Sequence, residues 1–149
     1  MSAVSVGQFE EGDWPEFLSM WDDYEGHLLG ADNLERIVRS TWDAGFSHAG
    51  GLQTLCLRMA GQVAGFMHFY LRHSTKSDRP ECYLGDMYIK PKYRDGLGMR
   101  AFTQALKAFC KDKNVFRIVW LTKRRNDRRQ SFLGHEIRLS DWTRYDVRV

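Results

Sequence analysis

The sequence lacks the features that would mark a fibrous, disulfide-stapled or membrane-spanning chain. It has only three prolines in 149 residues and shows no repeat or low-complexity segment, which excludes collagen-like and linker-like organisation. No run reaches the roughly 18 to 20 apolar residues of a membrane span, and no basic stretch followed by an apolar one opens the chain, so neither a membrane partner nor a leader is expected. The three cysteines, Cys56, Cys82 and Cys110, are odd in number and set in apolar runs. They read as buried free thiols of a reducing compartment, without disulfide or metal-ligand spacing, and a cytoplasmic location is expected.

What is present is apolar and aromatic material, 43% and 13% of the chain respectively. A chain of this length buries roughly two thirds of its unfolded surface, so a single domain over residues 1–149 with one large core is expected. The net charge of +3 is unevenly spread: residues 10–25 are acidic, and residues 123–129 read Lys-Arg-Arg-Asn-Asp-Arg-Arg. The basic segment attracts anions, nucleic acid or a phosphorylated cofactor among them, while the small net charge makes bulk nucleic-acid binding the weaker choice.

Alternation over Ser2 to Phe9 predicts a short strand. Two helices follow, each opened by a capping-box pattern: Asp13 with Glu16, then Asp32 with Glu35. Trp14, Phe17, Leu18, Trp21 and Leu28 form the first apolar stripe, and Leu34, Ile37, Val38, Thr41 and Trp42 the second, which Gly45 is expected to stop. Leu52 to Met59 and Val63 to Leu71, parted by Ala60-Gly61-Gln62, predict a hairpin. Glu81 to Ile89 is a third strand of that group, halted by Pro91.

A helix is expected from Met99, carried by Phe102, Ala105, Leu106 and Phe109. Val115 to Leu121 reads as a central strand parallel to its neighbour across that helix. A short helix over Asp127 to Leu133 and a terminal strand over Thr143 to Val149 complete the order β-α-α-β-β-β-α-β-α-β. The fold class is α/β, a mixed sheet flanked by helices on both faces.

Between the third strand and the periodic helix lies Tyr93-Arg94-Asp95-Gly96-Leu97-Gly98. Glycines here let backbone N–H groups approach phosphate oxygens, and the helix N-terminus adds its positive dipole end. A tight strand-to-helix turn explains a lone G-x-G equally well. With its flanks, the run from Tyr83 to Gly98 resembles the strand and pyrophosphate loop of the GNAT superfamily of N-acetyltransferases, and Asp23-Tyr24-Glu25 and Asp141-Trp142-Thr143 resemble its diamine acetyltransferase branch.

That resemblance implies acetyl-CoA as acyl donor, a small cationic amine such as a polyamine as acceptor, and an assembly that is often a homodimer. It implies that backbone groups of Met87, Tyr88 and Ile89 pair with the pantetheine arm. Arg94, Asp95, Gly96, Leu97, Gly98 and Met99 would hold the pyrophosphate, with Asn126 near the thioester and Phe132 beside it. Tyr24 and Glu25 would line the amine's entrance.

Two departures from the family pattern stand out: Arg94 lies only two positions before Gly96, and Leu133 follows Phe132 where the family commonly has tyrosine. They keep open a second reading, a CoA-binding module without turnover. A third is a nucleic-acid binder using residues 123–129.

Acyl transfer to an amine requires a proton acceptor, because an aliphatic amine with a pKa of about 10 is protonated near neutrality. Asp86 is the first candidate, against a carboxylate satisfied by backbone at a strand bulge. His68 is a further possible base, although a structural histidine is the more ordinary reading. Tyr145 is an alternative acid.

Overall fold

A computed structural model describes residues 3–121 and 140–149 of the chain. The elements run β1 (Val4–Gly7), α1 (Trp14–Leu29), α2 (Ala31–Ser47), β2 (Leu52–Met59), β3 (Gln62–Arg72), β4 (Glu81–Ile89), α3 (Leu97–Asp112) and β5 (Arg117–Trp120). The strands lie in the order β1-β2-β3-β4-β5, with only the β4–β5 pair parallel. The expected α/β fold with a mixed sheet between helices is the one observed.

Each sheet face carries its own apolar cluster. Leu57, Met67, Phe69, Met87 and Ile89 pack with Phe102 and Leu106 of α3. On the opposite face Phe66 and Tyr88 pack with Phe17, Met20 and Trp21 of α1 and with Val38 and Trp42 of α2. Trp21 stacks on Phe66 at a centroid separation of 5.1 Å and an interplanar angle of 9°. Burying one large side chain contributes roughly 1.5–3 kcal/mol, against about 0–1 kcal/mol for an exposed ion pair. The aromatic face therefore fixes α1, and its Glu16–Lys90 ion pair to the end of β4 adds little.

Both helix starts differ from expectation. Asp13 caps no N–H of α1; it closes a reciprocal box with Glu10, whose N–H donates to Asp13 Oδ2 at 2.8 Å, and it pairs with Arg58 of β2. Nor does Asp32 cap α2, which follows Gly30 at φ 78° without a side-chain cap, leaving Asp32 in the first turn where the helix dipole favours it. Gly45 does not end α2. It lies within the helix, where an added Cβ would stand 2.7 Å from Thr54 Oγ1, so it serves the approach of α2 to β2; the helix ends at His48 in the left-handed conformation, φ 56°.

The hairpin turns at Ala60 and Gly61, both at positive φ (50° and 80°), the pattern of a type I′ turn. β5 is parallel to β4 as expected, yet among the described residues it ends the sheet order and is not central. Its apolar residues report contact with the α3-side core, where Ile118 and Trp120 pack, and not a strand on each side. No strand forms over residues 143–149, which are exposed. Alternation at Tyr145 and Val147 has no apolar face to meet there, the two being 86% and 84% exposed. The helix expected over 127–133 lies outside the described residues.

Among the described residues no helix is long and apolar enough to cross a membrane, and no group of three or more His, Cys, Asp or Glu could hold a metal ion.

Candidate active site

The site forms where β4 leaves β5. Their pairing runs from Glu81↔Arg117 to Leu84↔Trp120, while among the described residues β4 continues to Ile89 against β3 alone. At the parting point the β3–β4 register shifts: His68 faces Asp86 and Phe69 faces Leu84, so Gly85 is the extra residue of a bulge. A bulge bends its strand and re-aims the side chains after it. Cys82 and Leu84 belong to the α3-side core, and so do Met87 and Ile89. The alternation thus changes phase at Gly85, and that change turns Asp86 and Tyr88 toward α1.

Side chains of Met87, Tyr88 and Ile89 are all used in the two cores. What this stretch offers along the side vacated by β5 is backbone, as in recognition by strand addition. Gly65 of β3 sets its position, since a Cβ there would stand 2.4 Å from the Tyr88 carbonyl oxygen. A glycine inside an apolar strand is the sequence signal of such a close approach, and sequence reasoning passed over it.

Two crossed pairs join α1 to β4. The Tyr24 hydroxyl donates to Asp86 Oδ1 at 3.4 Å, and the Tyr88 hydroxyl donates to Asp23 Oδ2 at 3.2 Å. Burial raises the Tyr88 phenol above its ordinary pKa, and the Asp23 carboxylate adds to the shift. Behind Asp86 stands His68, 1% exposed, with Nδ1 3.8 Å from Asp86 Oδ2. Phe17, Trp21 and Phe66 surround the imidazole at centroid distances of 5.7, 5.7 and 5.1 Å. Burial lowers its pKa to about 3, so the ring is neutral at physiological pH. The Asp23–Tyr88 pair and the His68–Asp86 apposition were beyond sequence reasoning, which had no strand register to place them.

The loop after β4 begins with a 3-10 turn over Pro91–Tyr93. The Arg94 side chain turns back, its Nε donating to the Ile89 carbonyl at 2.7 Å and its guanidinium lying 5.4 Å over the Tyr88 ring. Gly96 takes φ 96° as the N-cap of α3. Asp95 Oδ1 accepts the Leu97 N–H at 3.0 Å, and the first helical bond is Arg100 N–H to the Gly96 carbonyl. The N–H groups of Gly98 and Met99 are the remaining donors of the first turn.

Glu25 is half-buried on α1 one residue beyond Tyr24. Tyr145 is exposed on the terminal segment and joins none of these contacts. Asn126, Phe132 and the basic run at residues 123–129 lie outside the described residues.

Residues 8–135 match the acetyltransferase (GNAT) family. The chain belongs to that family. Enzymes of this GNAT family use acetyl-CoA as acyl donor.

Its fold is similar to that of the ribosomal-protein-alanine N-acetyltransferase from Brucella melitensis biovar Abortus 2308, at TM-score 0.76, 17% identity and 99% coverage of both chains. A possible acetyltransferase from Clostridium difficile 630 is similar at TM-score 0.75 and 15% identity, covering 98% of this chain and 97% of that one. An aminoglycoside acetyltransferase from an uncultured soil metagenomic sample, in complex with sisomicin, is similar at TM-score 0.70 and 13% identity, covering 98% of this chain and 96% of that one. At these identities the likeness is one of fold. No curated protein matches the chain.

Proposed function

We propose that the chain is an N-acetyltransferase that moves the acetyl group of acetyl-CoA onto the primary amine of a small cationic molecule, a polyamine being the class the acidic end of α1 suits best. The observation that carries this reading is the bulge at Gly85, which coincides with the end of β5 pairing and leaves backbone edge and the Asp86 carboxylate side by side. The pantetheine arm pairs with Met87 to Ile89, and the pyrophosphate meets the donors of Gly98 and Met99 at the start of α3. Arg94 braces the strand end through Ile89 and keeps the rest of its guanidinium for the phosphate. Tyr24 and Glu25, with Asp23 nearby, receive the ammonium.

Direct attack needs the amine neutral, and Asp86 takes the proton directly or through water. Backbone N–H groups of β4 meet the charge that develops on the thioester oxygen. The nitrogen–acyl bond forms as the carbon–sulfur bond breaks, and the coenzyme leaves as a thiolate that protonates to the thiol. With a thiol pKa of roughly 8–9 it departs without an obligatory acid, consistent with Tyr145 lying exposed.

The test is release of free thiol from acetyl-CoA with spermidine, sisomicin and a peptide with N-terminal alanine as acceptors. Turnover with spermidine, lowered at least a hundredfold in Asp86→Asn, is the expected result. Background release with every amine would overturn the reading, and calorimetric binding of CoA under those conditions would mark a module that binds without turnover.

A further inference from the structure

Three side chains lie in one cross-strand row on the α1 and α2 side of the sheet: Thr54 of β2 opposite His68 of β3, and His68 opposite Asp86 of β4. Direct partners on one face have Cβ atoms about 4.5–5.5 Å apart. Thr54 and His68 are 7% and 1% exposed. Thr54 Oγ1, His68 Nδ1 and His68 Nε2 are buried without a hydrogen-bond partner among the described residues. Isolated buried polar atoms are rare because folding removes their water without replacement. Three of them adjoining in register, with a carboxylate at the row's end, are explained together more readily than one by one.

We propose that His68 is the positioning residue of Asp86, with its Nδ1–H directed at Asp86 Oδ2 and its Nε2 accepting the Thr54 hydroxyl proton. The hydroxyl selects the tautomer: a donor at Nε2 leaves the ring proton on Nδ1, facing the carboxylate. Hydrogen bonds of this kind are often long without substrate and tighten in the reacting complex, so the 3.8 Å separation suits a pair that closes on ligand binding. Asp86 Oδ1 meets the Tyr24 hydroxyl, on the side from which the amine approaches.

The aromatic box keeps the ring uncharged. A histidinium beside Asp86 would hold the carboxylate too acidic to accept a proton, and an apolar residue would leave it without a donor on that side. A neutral donor lies between. Titratable groups on this face among the described residues include Tyr24 from α1, Cys56 from β2, Tyr88 from β4 with Asp23 hydrogen-bonded to it, and the Asp13–Arg58 and Glu16–Lys90 ion pairs. None of the ring contacts of His68 involves them; its ring partners are Phe17, Trp21 and Phe66.

This inference rests on Asp86 being the proton acceptor. Long-range ¹H–¹⁵N spectra of the wild-type full chain read the tautomer without any substitution, and the expected state at pH 7 is neutral Nδ1–H. Carboxyl ¹³C titration of Asp86 then compares wild type with His68→Phe, which fills the aromatic box, and His68→Asn, whose amide restores a donor near Nδ1.

The Asp86 midpoint should rise by about one pH unit in His68→Phe and return toward wild type in His68→Asn. A wild-type Nε2–H tautomer overturns the proposal, as does a His68→Phe titration that overlays the wild type, even with a lowered melting temperature. Should His68→Phe not fold, the wild-type tautomer decides. Unchanged spermidine turnover in Asp86→Asn would sink the role of Asp86 while leaving these spectra as they are, so the two failures are distinguishable.

Discussion

Gly98 of α3 lies so close to Leu57 of β2 that a Cβ on it would stand 2.6 Å from Leu57 Cδ2. Leu57 is 0% exposed, so its side chain has little room to yield. Gly96 is glycine for a different reason: its φ is 96°, and nothing lies within 4 Å of its Cβ position. Gly98→Ala is expected to destabilise by about 1–3 kcal/mol through overpacking, and Gly96→Ala by roughly 1–2 kcal/mol through backbone conformation. Leu57→Val should reduce the first loss and not the second. Urea unfolding of the single and double variants checks this, and a Gly98→Ala loss unaffected by Leu57→Val would rule the contact out as its cause.

The glycine loop was thus legible as a strand-to-helix junction, but the two glycines answer to different constraints that spacing alone does not separate. Strands carried by a bounded apolar run were read well: β4 came out at Glu81–Ile89, between Pro80 and Pro91. The Gly85 bulge was not legible as the device that orients Asp86. It depends on how β3 and β4 align, and both Asp86 faces look alike in a sequence. Gly45 and Asp13 misled for the same reason: a glycine in a helix pattern or an acid before it acquires its meaning from a partner, here Thr54 and Arg58, far along the chain.

Tyr88 provides an optical test of the α1–β4 junction. Its phenol is raised above the ordinary value of about 10, by burial first and by Asp23 second. Absorbance titration in alkali, compared with Tyr88→Phe to identify the signal, should place it above ordinary tyrosine. Asp23→Asn is expected to lower the midpoint only part of the way, since burial, the larger cause, stays in place. A midpoint unchanged by Asp23→Asn would remove the carboxylate from the account.

The cysteines should be inert in the folded chain. Cys56, Cys82 and Cys110 are 1%, 0% and 5% exposed. Burial pushes the Cys56 thiol up to about 12, and Cys82 is raised by its hydrogen bond with Cys110 and by burial. The same hydrogen bond lowers Cys110, so that thiol is withheld by its burial; since the thiolate is the reactive form, a disulfide-exchange reagent at pH 8 should modify all three only when the fold opens. Addition of urea should then release three equivalents together; rapid labelling of any one in the native chain contradicts this burial.

Acid stability should fall in two windows with different owners. His68 moves from about 6.5 in the unfolded chain to about 3 in the fold. The unfolded state therefore binds the extra proton, and stability that is whole above pH 6.5 is lost as pH falls toward 3, at up to roughly 1.4 kcal/mol per unit. For Glu81 burial would raise the pKa, but hydrogen bonds from Arg117 and Arg72, at 2.7 and 2.8 Å, outweigh it and hold the carboxyl low. Its contribution is present above the unfolded value of about 4.3 and is lost as pH drops through the lower folded value. Urea midpoints at pH 7, 6, 5 and 4 should accordingly decline in wild type and flatten in His68→Phe, whereas Glu81→Gln should lower the stability at pH 7 and flatten only the region below about 4.3. A wild-type midpoint that holds steady from pH 7 to 5 would show that His68 binds its proton as readily in the fold as in the unfolded chain, and the lowering by burial would have to be given up.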